Sequence, residues 1–338
     1  MADSPPDRHN LARLEKLDKK MAQIIRMHEH GAPSVLRLET IEVGKPGPGE
    51  VRLVQDAIGV NYVDTMVRDG RFAMPLPLVP GFEGAGVIAQ VGPGVDHLKV
   101  GDRVGYFFAI GGYASERLIA ASALVKLPDD ITTRQAAMFL SAGLTAWMAL
   151  RSLHQLQAGE TVLVLGASGS VGSILARWAR MLGATVIGVA GSQAKLAQVT
   201  AGADHAFHSG DPRLVDKIRA IASDGVDVVY DLVGAATAAL TIAALRDGSK
   251  IVAIGAASGP PAFDPAELAR RRIEVTGGGT PQHVHAGTVD GASSELFAAI
   301  RGGLFADLPA VGYPLSDASQ VHEDIAARRI AGLPILLP

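Results

Sequence analysis

The sequence predicts a two-part α/β protein in which a β-rich, barrel-type unit precedes a doubly wound parallel sheet. Three observations predict this fold class. Short strand-like runs broken by Gly and Pro fill the first third of the 338 residues, apolar runs alternating with helical segments follow, and a glycine-rich loop lies where the alternation begins. At roughly 150 residues per domain, the chain has room for about two domains, each with its own core.

The composition excludes several kinds of chemistry. The chain has no Cys, which removes disulfides, Cys-ligated zinc, iron–sulfur clusters and thiol nucleophiles. Its formal net charge of −3 offers no basic field for nucleic acid, and its ten His follow no metal-ligand spacing. The longest apolar runs are far below the ~20 residues that span a bilayer. We therefore expect a soluble protein without a metal, a nucleic-acid partner or a membrane partner.

The first 22 residues read as an N-terminal extension. They are charged and lack the apolar segment of a secretion signal, so a cytoplasmic location is expected. From Ile24 to about Pro128, runs such as VLRLETIEV and GAGVIAQV are separated by turns such as PGPGE. This pattern indicates a mainly antiparallel, barrel-like unit. A helix is predicted next, at about Thr133–Leu153.

A regular alternation begins near residue 150. The apolar runs TVLVLG, TVIGVA, VDVVYDLV and KIVAIG are separated by helical segments, which is the rhythm of a Rossmann-type parallel sheet. We assign this domain to 150–280. Segment 281–338 is too short for a third domain, so it is predicted to complete the first domain together with 23–149.

The strongest functional signal is the loop between the first Rossmann strand and its helix. Glycines there allow a tight turn and a close backbone approach, and the helix N-terminus offers N–H groups to a pyrophosphate. The loop follows a predicted strand and precedes a predicted helix, and a second strand follows at the spacing of a Rossmann unit. This context favours dinucleotide binding over the alternative that the glycines only form a tight strand–helix turn. The predicted cofactor-binding residues of this loop are Gly166, Ala167, Ser168, Gly169, Ser170, Val171 and Gly172.

The end of the second Rossmann strand indicates NADPH rather than NADH. An NAD site usually has Asp or Glu there, about 20 residues past the glycine loop. Here Val189 is followed by Ala, Gly191 and Ser192, and no acid occurs before Lys195. The small residues leave room, and the lysine adds positive charge, for a 2′-phosphate. A lysine on an exposed helix is otherwise most often a solvated surface residue.

Motifs spread from Ile24 to Pro338 carry a resemblance to a known family. They are HEHGAPSVLRLE, GVNYVD at 59–64, PGFEGAGV at 80–87, GDRV at 101–104, GLTAW at 143–147, the glycine loop and the ending GLPILLP. Together they resemble the zinc-free quinone oxidoreductases of the zeta-crystallin type, within the medium-chain dehydrogenase/reductase superfamily. The resemblance implies a GroES-like first domain, a Rossmann second domain and hydride transfer from NADPH. Zinc-dependent relatives carry Cys near Asn61 and Gly-His-Glu where this chain has Gly-Phe-Glu, ending at Glu83.

The resemblance also implies the remaining site residues. Asn61 and Asp64 would lie beside the nicotinamide, where the amide can bond a substrate carbonyl or a cofactor group, whereas Glu83 would have a structural role. Asp64 could equally cap a helix that starts at Thr65. Gly143 and Thr145 would line the nicotinamide pocket, unless Thr145 simply bonds within its own helix. The other implied residues are Ser209, Gly255 and Arg328 for the cofactor and Tyr62 as a catalytic candidate.

Two positions depart from the family pattern. Related reductases often carry a Tyr in the loop 68–74, where this chain has Phe72, so Tyr62, Tyr106 and Tyr113 are the candidate phenols. Near the 2′-phosphate, a family Tyr is matched by Ser209, and Arg329 lies beside Arg328 as a stand-in.

These observations predict an NADPH:quinone reductase whose partner is a small-molecule quinone. An alkene acceptor requires proton delivery to carbon, and Phe72 cannot supply a proton. One alternative is an alkenal, enone or 2-enoyl-thioester reductase, and another is a non-catalytic NADPH-binding structural or regulatory protein. The apolar run at Arg272–Thr276 predicts an edge strand and, through it, a homodimer.

Overall fold

The computed structural model of the protein describes residues 21–255, 257–306 and 308–338. These residues divide into two compact units, one containing 21–141 and 308–338 and the other containing 142–306. The extension predicted at 1–22 lies outside the described residues except for its last two positions, which begin the first strand.

The elements up to the unit boundary are mostly short strands. They are β1 (Met21–Arg26), β2 (Arg37–Glu42), β3 (Glu50–Gly59), α1 (Tyr62–Asp69), β4 (Gly84–Val91), β5 (Arg103–Tyr106), β6 (Glu116–Ala120), β7 (Leu124–Lys126) and α2 (Thr133–Trp147), which continues as a π-helix at Met148–Leu153.

Strands and helices then alternate. The elements are β8 (Thr161–Leu165), α3 (Ser170–Met181), β9 (Thr185–Ala190), α4 (Leu196–Thr200), β10 (His205–His208), α5 (Leu214–Ile221), β11 (Val226–Asp231), α6 (Ala238–Ala244), β12 (Leu245–Ala253), α7 (Pro265–Arg271), β13 (Glu274–Gly277), α8 (Thr280–His283) and α9 (Val289–Arg301). The chain ends with β14 (Ala310–Pro314), α10 (Ala318–Ala326) and β15 (Leu333–Leu337). Single 3₁₀ turns lie at Pro33–Val35, Ala121–Ala123, Gln193–Lys195, Ala235–Thr237 and Leu315–Asp317.

The first unit is built on a mainly antiparallel sheet. Its strands follow the order β14, β15, β3, β4, β5, β7, with β6 paired to β3, while β1 and β2 form a separate two-stranded sheet. Strand β3 is central because it pairs with β4, β6 and β15. Its side chains are therefore buried along most of its length, and Val51 and Leu53 pack with Ile88 in one core. The GroES-like β-barrel-type prediction is confirmed.

The second unit contains a six-stranded parallel sheet. The strand order is β10, β9, β8, β11, β12, β13, which is the doubly wound Rossmann arrangement. Apolar side chains such as Leu163, Ile187 and Val229 fill its core together with the helices that cross over between strands. The predicted Rossmann domain is confirmed, and β13 is an edge strand at the place where the sequence predicted one.

The unit boundaries differ from the predicted domain boundaries. The prediction joined 281–338 to the first domain, whereas 281–306 lies in the second unit together with 142–149. The physical reason is the packing of α9, whose Leu296 lies against Gly143, where a Cβ atom would come within 2.6 Å of the leucine side chain. An ion pair between Arg151 and Glu295 supports the same contact. Only 308–338 returns to the first unit.

One stretch of the described residues, Thr133–Leu153, is long and apolar enough to cross a membrane by length and composition alone. Core helices pass the same test, and most of this stretch is buried.

Candidate functional site

The glycine loop connects β8 to α3 in a tight turn. Gly166 has a φ of +80°, a conformation that glycine adopts without strain. The N–H groups of Gly166 and Ala167 donate to the carbonyl oxygen of Val189 on β9 at 3.1 and 3.0 Å. A Cβ on Gly172 would lie 2.2 Å from the carbonyl oxygen of Gly166, so the helix packs directly on the loop.

The N-terminus of α3 suits an anion. The first N–H groups of a helix have no acceptor inside it, and the N-cap residue here is Gly169, which has no side chain to cap them. The first turn of α3, from Ser170 to Gly172, therefore presents backbone donors at the positive end of a twelve-residue helix. The residues present fit the pyrophosphate of a dinucleotide, as the sequence predicted.

A second loop lies beside the glycine loop, after β11, and its anchor was missed by sequence reasoning. The buried carboxylate of Asp231 accepts hydrogen bonds from the N–H groups of Val233 and Gly234 and from the hydroxyl of Thr237. Gly255 follows β12, and a Cβ there would lie 2.0 Å from the carbonyl carbon of Leu232. The signal in the sequence was an acid at the end of the apolar run VDVVYD, immediately before a Gly-containing turn.

The residues predicted to select the cofactor lie after β9 and β10. Gly191 and Ser192 are exposed. Lys195 is the last residue of a 3₁₀ turn and is half-buried. The N–H group of Ser209 donates to the carbonyl oxygen of Ala190 at 2.9 Å, so the structure brings the two predicted segments together.

Arg328 belongs to the first unit, so it is described apart from those residues. It is exposed and has a φ of +57°. Its proposed stand-in, Arg329, donates to the carboxylate of Asp324 at 2.6 Å. Arg329 is thus already engaged in an ion pair.

Gly143 and Thr145 lie in the part of α2 that belongs to the second unit. Gly143 makes room for Leu296, which is a packing role. The hydroxyl of Thr145 lies 2.8 Å from the hydroxyl of Thr280 at the start of α8, so the structure gives it a partner outside its own helix. Contact of either residue with nicotinamide stays a prediction.

In the first unit, the three catalytic candidates surround the start of α1. The helix begins at Tyr62 with Asn61 as its N-cap, so the helix start expected at Thr65 was wrong by three residues. Asp64 occupies the third helical position, and its Oδ2 accepts the backbone N–H of Asn61 at 2.8 Å. This contact holds the chain at the helix entrance, as acids in a first helical turn commonly do.

Asp64 also belongs to a buried hydrogen-bonded chain. Its Oδ2 lies 3.1 Å from the hydroxyl of Tyr113, and that hydroxyl lies 2.8 Å from Nε2 of His322 on α10. Burial raises the pKa of Asp64 to about 7 and lowers the pKa of His322 to about 3. Among the described residues, Oδ1 of Asp64 and Nδ1 of His322 have no hydrogen-bond partner. A catalytic role of Asp64 stays a prediction.

Glu83 precedes β4 and is 2% exposed. Its Oε1 accepts the backbone N–H of Ser141 at 2.7 Å, and its Oε2 accepts a hydrogen bond from Nδ2 of Asn61 at 2.9 Å. Burial raises the pKa of Glu83 to about 8 against the opposing effect of these donors. The sequence could not indicate this contact, because the two side chains are 22 positions apart.

The candidate phenols differ in accessibility. Tyr106 and Tyr113 are fully buried, and the hydroxyl of Tyr106 lies against Oε1 of Gln55. Tyr62 is 43% exposed, and its hydroxyl accepts a hydrogen bond from Nη1 of Arg71 at 3.0 Å. Phe72 is 49% exposed and carries no hydroxyl. Tyr62 is therefore the accessible phenol of the three.

The residues present do not fit a zinc site. In the parts of the chain that the structure describes, no group of three or more His, Cys, Asp or Glu side chains could hold a metal ion. The zinc relatives' ligand positions hold Asn61 and Phe82, which offer a neutral amide and a hydrocarbon ring.

Two protein-family models match the chain in the same order as its two sheets. The model described as "Alcohol dehydrogenase GroES-like domain" matches residues 47–129, and the one described as "Zinc-binding dehydrogenase" matches 170–289. A GroES-like domain followed by a Rossmann-type domain defines the medium-chain dehydrogenase/reductase superfamily.

Individual relatives indicate which group of this superfamily the chain belongs to. The chain is 34% identical to quinone oxidoreductase 1 of Escherichia coli and 35% identical to 2-haloacrylate reductase of a Burkholderia species, covering 94% of this chain and 100% and 99% of those proteins. The crystal structure of Escherichia coli quinone oxidoreductase complexed with NADPH matches with a TM-score of 0.88 at 33% identity, over 94% of this chain and all of that one. The chain belongs to the quinone oxidoreductase family, the zinc-free oxidoreductases of this superfamily.

Proposed function

We propose that the protein transfers a hydride from NADPH to a quinone. The observation that carries this proposal is the cradle formed by the loop 166–169 and the uncapped N-terminus of α3. NADPH supplies the hydride when bound, and the protein contributes binding, alignment and exclusion of water. The NADPH complex of the Escherichia coli relative supports the choice of cofactor.

The preference for the 2′-phosphorylated cofactor is assigned to the residues after β9. Gly191 and Ser192 are small and exposed, Lys195 supplies positive charge, and Ser209 lies beside them through its bond to Ala190. The absence of Asp and Glu between Val189 and Lys195 leaves no carboxylate to repel the phosphate. A role of Arg328 in cofactor binding stays a prediction from the family resemblance.

The surroundings of the tyrosine side chains favour a quinone over an alkene as the hydride acceptor. A reduced quinone can take its protons from water, whereas an alkene gains from an acid positioned at carbon. Phe72 cannot donate a proton, and the hydroxyls of Tyr106 and Tyr113 are buried in hydrogen bonds.

A second acceptor class is supported by the relative named 2-haloacrylate reductase, since haloacrylates are activated alkenes. In that case Tyr62 is the proton donor we assign, because its hydroxyl is accessible and accepts from Arg71, which leaves its own hydrogen free to be donated.

The test is NADPH oxidation against 1,4-benzoquinone, a naphthoquinone, an enone, 2-chloroacrylate and a crotonyl thioester. We expect the highest kcat/KM with a quinone, and Tyr62→Phe should leave that value within about twofold. A preference for an alkene that Tyr62→Phe lowers by ~10²-fold or more would favour the second class. Tight NADPH binding without turnover of any acceptor would support a non-catalytic NADPH-binding protein.

We also propose a cytoplasmic homodimer formed through β13. This strand pairs with β12 on one side, and Val275 on it is a large apolar side chain that is exposed in the single chain. An open strand edge is a template for a second copy. Light scattering should give twice the mass of one chain, and Val275→Lys should shift the population toward monomer. A monomer at micromolar concentration would contradict the proposal.

A further inference from the structure

Tyr113 lies at the centre of a buried hydrogen-bonded chain in the first unit. Its hydroxyl lies 3.1 Å from Oδ2 of Asp64 in α1 and 2.8 Å from Nε2 of His322 in α10. All three side chains are fully buried. A hydroxyl has a single hydrogen, so Tyr113 donates to one of these neighbours and accepts from the other. The chain therefore has two possible directions, and each requires a different tautomer of the His322 ring.

The two directions correspond to the two charge states of Asp64. When Asp64 is neutral with its proton on Oδ2, it donates to the Tyr113 oxygen, Tyr113 donates to Nε2 of His322, and the ring hydrogen lies on Nδ1. When Asp64 is ionised, it accepts from Tyr113, so Tyr113 accepts a ring hydrogen that lies on Nε2. The ring stays neutral in both states, because burial and the charge of Arg68 lower the pKa of His322 to about 3.

The unpartnered atoms at the two ends of the chain decide where the proton of neutral Asp64 lies. Oδ1 of Asp64 and Nδ1 of His322 have no hydrogen-bond partner among the described residues, so the neutral state leaves either an O–H at Oδ1 or an N–H at Nδ1 without an acceptor. A carboxyl O–H is the stronger acid and the stronger donor, so it costs more to leave buried and unpaired than an imidazole N–H. The proton therefore belongs on Oδ2, where the Tyr113 oxygen accepts it.

The lengths of the two hydrogen bonds support this direction. The Tyr113 hydroxyl lies closer to His322, at 2.8 Å, than to Asp64, at 3.1 Å. A hydroxyl that donates to an ionised carboxylate is expected at about 2.5–2.7 Å. The geometry thus corresponds to the state in which Asp64 is neutral and Tyr113 donates to His322.

We propose that Asp64, Tyr113 and His322 form a proton-operated switch, in which ionisation of Asp64 reverses the Tyr113 hydroxyl and moves the hydrogen of the neutral His322 ring from Nδ1 to Nε2. In this step the Oδ2–H and Nδ1–H bonds break, an Nε2–H bond forms, and one proton passes to solvent. The switch transmits the charge state of the first turn of α1 to a ring on α10. This role lies beyond hydride transfer and needs no bound cofactor.

The neighbouring ionisable groups place the trigger near neutral pH. Burial raises the pKa of Asp64 to about 7 and that of Glu83 to about 8, so Asp64 ionises first. The ionisable groups on the elements around Asp64 and His322 are Arg68, Asp69, Glu83, Tyr106, Tyr313 and Asp324.

The test reads the tautomer of His322 by NMR on the full chain without added cofactor. Histidine is labelled with ¹⁵N and the aspartate carboxyl carbons with ¹³C, because a ring nitrogen that carries a hydrogen and a bare one have well-separated ¹⁵N shifts. The His322 signals are identified by contacts with the Tyr113 ring, whose centroid lies 5.8 Å away. We expect the Nδ1–H tautomer at pH 5, the Nε2–H tautomer at pH 9, and a midpoint equal to that of the Asp64 carboxyl.

Two variants should lock or uncouple the switch. In Asp64→Asn, the carbonyl oxygen takes the place of Oδ2, because that position accepts the N–H of Asn61 at 2.8 Å. It therefore also accepts from Tyr113 and should hold His322 in the Nε2–H tautomer at every pH. Tyr113→Phe removes the link, so the tautomer should no longer follow pH. Tyr230→Phe is the matched control, since that buried hydroxyl has no partner among the described residues and its loss should leave the switch intact.

The unmodified protein decides the outcome even where a variant does not fold. A His322 tautomer that stays the same while Asp64 loses its proton would overturn the inference, as would a His322 ring that becomes a cation between pH 5 and 9. An Asp64 carboxyl that does not titrate in this interval would also overturn it, because the switch would have no trigger. A folded Asp64→Asn protein whose His322 tautomer still changes with pH would contradict the assigned direction.

Discussion

The glycine loop of the second unit and the surroundings of Asn61 in the first unit are built in opposite ways. The loop uses backbone N–H groups, and its residues follow one another from 166 to 172. The Asn61 site uses buried side chains from separate parts of the chain: Glu83 precedes β4, Ser141 lies in α2, and Tyr113 and His322 are 209 positions apart. A backbone site depends on the absence of side chains, and a side-chain site depends on exact partners.

We therefore expect the two sites to respond differently to amino-acid substitution. Adding one methyl group at Gly172 should damage the loop, because a Cβ there would lie 2.2 Å from the carbonyl oxygen of Gly166. Around Asn61, a substitution can remove one polar atom and leave the side-chain volume almost unchanged. The loss of stability then comes from the polar groups that stay buried without a hydrogen-bond partner.

The largest effect is expected for Gly172→Ala. The new Cβ would lie 2.2 Å from the carbonyl oxygen of Gly166, so α3 and the loop must separate. We expect roughly 3 kcal/mol of strain, and a loss of NADPH affinity of about a hundredfold, measured by the fluorescence of bound NADPH. Gly291→Ala is the matched control, since that helical glycine in α9 has open space and should tolerate the methyl group. Affinity within threefold of the unmodified protein would show that the loop is not the tight cradle described.

The sequence predicted the loop and the fold because both follow from local patterns. A strand precedes Gly166, a helix follows it, and further strands recur at regular spacing along the chain. This local pattern defines a Rossmann domain without any long-range information. The predicted boundary at 281 differs from the unit boundary near 307, because the latter depends on a tertiary contact, Leu296 against Gly143, that leaves no periodic signal.

Asn61 and Asp64 could be named from family resemblance, but their partners could not. The contact of Asn61 with Glu83 and the contact of Asp64 with Tyr113 exist only after β3, β4 and α1 have packed together. The pKa values of both carboxyls depend on that burial, so they too were outside the reach of sequence patterns.

A smaller effect is expected for Tyr113→Phe. Loss of the hydroxyl leaves Asp64 and His322 buried without the group that bridges them. The free energy of unfolding should fall by about 1–3 kcal/mol, measured by calorimetry. Tyr230→Phe provides the comparison, because that buried hydroxyl has no hydrogen-bond partner among the described residues. Its removal should leave stability unchanged or improve it, and equal losses in the two variants would contradict the role of the Tyr113 bridge.

Stability should also depend on pH through the buried titratable groups around Asn61. Burial raises the pKa of Asp64 to about 7 and that of Glu83 to about 8, so the folded protein binds these protons more tightly than the unfolded chain. Their contribution therefore falls as pH rises from about 4 to about 8. His322, with a pKa lowered to about 3, acts oppositely, and its contribution is lost as pH falls below about 6.5.

The interval from pH 6.5 to 8 isolates the two carboxyls. There the free energy of unfolding should fall with rising pH by at most ~1.4 kcal/mol per pH unit for each group, and the melting temperature should decrease with it. Glu83→Gln should flatten the upper part of this interval. A melting temperature that rises across it in the unmodified protein would show that neither carboxyl holds a proton in the folded state.

The smallest effect is expected for Lys195→Ala, which tests the charged part of the otherwise backbone-built site. Lys195 is half-buried at the end of a 3₁₀ turn, so solvent screens its charge and we expect a loss of only ~1 kcal/mol for NADPH, about fivefold in Kd. NADH, which lacks the 2′-phosphate, should bind as before. The NADPH effect should shrink further at high salt, because an exposed ion pair is screened over a Debye length of about 10 Å at 0.1 M.

Lys250→Ala is the control, since that lysine pairs with Glu274 on the edge strand and should affect neither cofactor. Equal losses for NADPH and NADH would mean that Lys195 supports the turn after β9 and does not contact the phosphate.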